Sequence, residues 1–111
     1  MKATFGEYIK QRRTDLGFPL RTVASHIDID SSTLGKVEKN ERCLNIEHIE
    51  NLSQILQADK KTLLNYHYST KIVGELKEYP QFQEVLSIVN EHLTSQASRQ
   101  QTLKFDKDWR E

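Results

Sequence analysis

The chain has a single cysteine, Cys43, among 111 residues. It leaves no internal disulfide and no thiolate cluster for zinc, which suits a reducing compartment. No apolar run approaches the roughly 18 residues needed to cross a bilayer, and the opening MKATFGEYIKQRR lacks the apolar segment of a secretory signal. These absences lead us to expect a soluble, cytoplasmic protein with no membrane contact. Net charge is missing as well, because 16 Lys/Arg are balanced by 16 Asp/Glu. No global basic field announces nucleic acid, so any such affinity has to come from local placement of charge. Residues 1–68 hold ten basic against nine acidic side chains, and 69–111 six against seven, so neither part stands out.

Catalytic signatures are also lacking. There is no nucleophile elbow, no phosphate-binding glycine loop and no HExxH pair. The four histidines, His26, His48, His67 and His92, are scattered and read as helical side chains. The expectation is a protein that is not an enzyme and uses neither metal nor cofactor.

What is present is helical periodicity almost throughout. Phe5, Tyr8, Ile9 and Leu16 share one side of a first helix that stops at Gly17. Pro19 suits the start of a second, whose inner face is Val23, Ala24 and Ile27. Asp30 is placed to cap a third, with Leu34 and Val37 inward, and Asn45 a fourth, with the stripe Ile46, Ile49, Leu52, Ile55 and Leu56. Asp59 is placed to cap a fifth carrying Leu63 and Leu64. Then come YHYSTKIVGELKEY and, after Pro80, an amphipathic segment in which Phe82, Val85, Leu86, Val89 and Leu93 follow helical spacing. From about Ala97 the pattern stops, leaving a polar tail with Leu103, Phe105 and Trp109.

The stretch HIDIDSSTLGKVEKNE, His26 to Glu41, admits three readings. As a calcium loop beginning at Asp28 it needs glycine at its sixth position and glutamate at its twelfth, where Thr33 and Lys39 stand. As a paired-aspartate phosphatase motif it needs a strand before Asp28, but RTVASHI is helical in pattern. The third reading is two short helices joined by a tight turn, the second opening with small polar side chains. That turn needs a residue tolerant of a left-handed backbone, and Asp28 qualifies; Asn40 qualifies at the end of the second helix.

On these residues the chain resembles the Cro/phage-repressor-type (XRE) helix-turn-helix family. IKQRRTDLGF is similar to its first helix and glycine stop, PLRTVASHIDIDSSTLGKVEKNER to its reading unit, and NIEHIENLSQILQADKKTLL to its last two helices. The resemblance implies an all-α fold: a five-helix lambda-repressor-like domain over residues 1–68, followed here by a C-terminal helical hairpin over 69–96 and a flexible tail over 97–111.

It also implies roles for residues. Arg13 and Glu38 fall where the family places an ion pair between the first and third helices. Ser31, Ser32 and Lys36 stand where side chains face base edges, and Gly35 among them lets the backbone approach DNA closely. Arg21, Lys39, Arg42 and Asn45 stand where phosphate is touched. Leu20 departs from the pattern, replacing a glutamine that braces the recognition helix or grips phosphate. The expected function is a sequence-specific transcriptional regulator of double-stranded DNA, a homodimeric repressor on a palindrome, joined through Phe82, Val85, Leu86, Val89 and Leu93. The alternative is a protein-interaction adaptor or antitoxin whose tail binds a partner protein.

Overall fold

The structure is a computed structural model that describes the backbone of residues 4–104 and the side chains of residues 4–97. Among the described residues every regular element is helical: α1 (Phe5–Asp15), α2 (Leu20–His26), α3 (Ser31–Glu38), α4 (Ile49–Leu56), α5 (Lys60–Leu76) and α6 (Phe82–Lys104). They divide into two compact units, Met1–Glu75 and Leu76–Glu111.

In the first unit, α1 starts at a capping box in which Thr4 Oγ1 accepts the Glu7 N–H and Glu7 Oε1 accepts the Thr4 N–H. The helices α1 to α4 all stop in the same way. A residue in the left-handed region follows each one: Gly17 (φ 78°), Asp28 (φ 65°), Asn40 (φ 62°) and Gln57 (φ 52°). The next N–H then reaches back to a carbonyl in the last turn, as Phe18 does to Arg13, Ile29 to Ala24, Glu41 to Lys36 and Ala58 to Ser53. These stops keep the connections short and fold the apolar faces together. Ile9, Val23, Ile27, Leu34, Leu52 and Leu63 are among the core side chains they bury.

One start differs from the sequence expectation and another agrees with it. Asn45 caps a 3₁₀ turn over Ile46–His48, not α4 directly, its side chain accepting the Glu47 N–H at 3.1 Å. Ile46 therefore precedes the amphipathic helix and points away from the core, 47% exposed, while Ile49, Leu52 and Leu56 are buried. Asp59 does cap α5, accepting the Thr62 N–H at 3.0 Å.

The segment assigned to the first arm of a hairpin is the second half of α5. Nothing between Leu64 and Leu76 breaks the helix, and Thr70 Oγ1 accepts the Phe5 N–H at 2.8 Å, tying this half to the start of α1. The first unit thus extends to Glu75, past Tyr68. In the second unit, α6 runs through Lys104, beyond Ala97 where the apolar period ends, because SRQQTLK contains no helix breaker. Phe105 and Trp109 lie outside the described residues, as does the Leu103 side chain.

Candidate nucleic-acid interface

The four residues between α2 and α3 set the reading geometry. Ile27 is buried and Ile29 half-buried, while Asp28 between them takes the left-handed turn. The chain therefore reverses without lifting either helix from the core. In α3, Leu34, Val37 and Glu38 face inward, and Ser31, Ser32 and Lys36 are exposed on the other side. Asp30 has the extended backbone of a cap, yet its side chain makes no capping bond. The first-turn N–H groups of α3 thus have no side-chain cap, and the positive end of the helix dipole accompanies the exposed serines.

Leu20 and Gly35 explain one another. A β-carbon built on Gly35 meets Leu20 Cδ2 at 3.6 Å, so the leucine methyl lies over the bare backbone of α3. At this point α2 meets α3 by apolar contact. Arg21, Lys39, Arg42 and Asn45 are all exposed. Asn45 spends its oxygen on the Glu47 N–H, leaving its amide N–H₂ as the outward donor.

Two arginines fix this surface from behind. Arg13 Nε and Nη2 donate to Glu38 Oε2 and Oε1 at 2.7 and 3.0 Å, and its Nη1 donates to the Phe18 carbonyl at 2.9 Å. The bond to Glu38 is the main reason the guanidinium pKa is raised above its ordinary value, with burial opposing. Arg12, which sequence reasoning passed over, donates to the Leu56 carbonyl at 2.8 and 3.2 Å and to the Gln57 carbonyl at 3.1 Å. It thereby satisfies the C-terminal end of α4. The only sequence sign of this was a basic residue on the inner side of α1.

Among the described residues, no group of three His, Cys, Asp or Glu side chains could hold a metal ion. Nor is any helix there long and apolar enough to cross a membrane. On α6, Phe82, Leu86, Val89 and Leu93 are exposed and Val85 is half-buried, so the stripe expected to be a seam is exposed among the described residues.

The Helix-turn-helix family model matches residues 9–61. The HTH-type transcriptional regulator SinR of Bacillus subtilis (strain 168) is 29% identical over 101 residues, a span covering 90% of this chain and 86% of that protein. SinR of Bacillus licheniformis matches to the same extent. Among solved structures, the crystal structure of the master regulator for biofilm formation SinR in complex with DNA is 31% identical. It matches over 55% of this chain and 98% of its own, with a TM-score of 0.50. The SinR protein/SinI protein complex matches over 82% of this chain and 99% of the other, at 25% identity and a TM-score of 0.52.

Proposed function

The chain belongs to the Cro/phage-repressor-type (XRE) helix-turn-helix family of DNA-binding transcriptional regulators, and we propose that it is a cytoplasmic, dimeric repressor of a palindromic operator. The observation that carries this reading is the split character of α3. It buries Leu34, Val37 and Glu38 and offers Ser31, Ser32 and Lys36 outward. In this reading the serines and Lys36 read base edges, with Gly35 permitting close approach. Arg21, Lys39, Arg42 and Asn45 hold phosphate. One head covers half a site, so a two-fold pair matches a pseudo-palindrome. Repression follows because occluding a promoter requires no further surface.

Lys36→Ala is expected to relax preference at one base position and weaken the preferred site by roughly 1–3 kcal/mol. Arg42→Ala is expected to weaken all sequences alike and to flatten the salt dependence. Binding selections on a random duplex library with the wild type and both variants read these effects together. An unaltered sequence profile for Lys36→Ala would place the recognition register elsewhere.

The α6 stripe is the proposed seam. A Val85→Asp/Val89→Asp variant places unpaired charges in it, which costs several kcal/mol if the seam is buried between copies. The expected result by sedimentation is a folded monomer. A folded variant that remains dimeric would remove α6 from the interface.

A second reading, in which a protein partner is the main target, is favoured by the same exposed stripe. The SinR/SinI complex adds support, since its likeness spans more of this chain than the helix-turn-helix alone. The adaptor or antitoxin role given to the C-terminal tail rests on residues outside those described. Wild-type protein that is monomeric at high concentration would favour this second reading over the dimer.

A further inference from the structure

Two clefts flank the loop Arg42–Leu44 where it faces the second half of α5. One opens beside Phe5 and includes the carboxylates of Glu41 and Glu75. The other, about 590 Å³, includes Thr33 of α3, Arg42, Asn45, Tyr68 and Lys71, and no carboxylate lines it. It is therefore a basic concavity continuous with the reading helix.

Several cations of the head are already committed: Arg13 to Glu38, Arg12 to the end of α4 and Lys60 to Glu50 at 3.1 Å. Among the described residues, Arg42 and Lys71 have no carboxylate within 4.0 Å. His48 also lines the cleft, its Nε2 3.9 Å from Glu47 Oε2. His67, shared with the other cleft, is the buried part of the lining, only 5% exposed and without a hydrogen-bond partner among the described residues. Its ring stands edge-on to Phe5 (5.6 Å) and to Tyr68 (5.1 Å), which braces the half-exposed Tyr68 at the rim. Burial, and then the charge of Lys71, lower the His67 pKa below its ordinary value, which favours the neutral ring.

We infer that this cleft seats a backbone phosphate of the bound duplex, held by Arg42 and Lys71 with Tyr68 and the Asn45 amide as neutral donors. The inference rests on the DNA-binding reading above and extends its contact surface from the helix-turn-helix onto α5, beyond residues 9–61. A phosphodiester needs cations and N–H or O–H donors and is repelled by carboxylates, and of the two clefts only this one meets both conditions. The phosphate carries no base information, so the contact adds affinity and register without sequence preference.

The test is the salt dependence of duplex binding by the full chain. Lys71→Gln, an exposed change, is expected to make the slope of log K against log salt shallower by about 0.9. Affinity for preferred and random duplexes is expected to fall by the same factor, roughly three- to tenfold at low salt. Lys61→Gln, on the first turn of α5 and outside the cleft, is expected to keep the wild-type slope. A Lys71→Gln slope equal to wild type, or an equal loss in Lys61→Gln, would overturn the inference while leaving DNA binding intact. Wild-type protein that bound no duplex at low salt would instead overturn the DNA-binding reading, and this inference with it.

Discussion

Gly6→Ala is expected to destabilise the reading head by about 3 kcal/mol, the upper part of the range for forcing a methyl group into a filled space. A β-carbon at Gly6 lies 2.5 Å from the Glu38 carbonyl oxygen, 2.5 Å from that of Val37 and 2.8 Å from Asn40 Oδ1. Two of these atoms are backbone, in the last turn of α3, and they yield only if α1 and α3 move apart. The same place is tied by hydrogen bonds. The Gly6 N–H donates to Asn40 Oδ1 at 3.2 Å, and Asn40 Nδ2 donates to Thr4 Oγ1 at 2.8 Å. Left-handed Asn40 thus ends α3 and clasps the start of α1. Against a total stability of about 5–15 kcal/mol, such a loss is large. Urea unfolding is expected to show a lower midpoint with an unchanged slope. Gly35→Ala is the internal control, since its β-carbon meets only Leu20 Cδ2 in ordinary contact. It is expected to gain up to about 1 kcal/mol from helix propensity. Gly6→Ala protein as stable as wild type would mean that α1 and α3 do not approach this closely.

Gly6 also marks where the sequence stopped being legible. Local rules located the left-handed stops at Gly17, Asp28 and Asn40, because glycine, aspartate and asparagine each advertise that conformation. Gln57 takes the same conformation without advertising it; the end of α4 is set by Arg12 from another helix. Gly6 and Arg12 act through contacts 34 and 44 residues away, and no periodicity carries that information. Ile46 was misjudged for a related reason. Its spacing fits the α4 stripe, but the 3₁₀ turn after Asn45 shifts its angle out of the core. The candidate interface was more readable. Exposed polar residues on one face of α3 and apolar ones on the other follow from helical spacing alone. Lys71 was not, because its place beside Arg42 depends on α5 continuing past Tyr68.

Removing one member of the Arg13–Glu38 pair is expected to have an effect of similar size. Its side chains are 13% and 6% exposed, and the pair is bidentate, at 2.7 and 3.0 Å. Arg13→Met would leave the Glu38 carboxylate buried opposite a thioether, at a cost of about 3 kcal/mol. The double variant Arg13→Met/Glu38→Leu removes both charges together and is expected to recover most of that loss. Its residual cost belongs to the Phe18 carbonyl, which loses the Arg13 Nη1 donor. Thermal unfolding of wild type, both single variants and the double variant closes the cycle. A double variant as unstable as the sum of the singles would mean that the two residues act independently. The more telling measurement is DNA affinity of the double variant at a temperature where it is fully folded. An apolar pair has no fork geometry, so it restores burial without fixing the rotation of α3 about its axis. Stability regained without affinity is the expected outcome, and it would assign the pair to aiming Ser31, Ser32 and Lys36. Full recovery of both would mean that packing of Leu34 and Val37 alone orients the recognition helix.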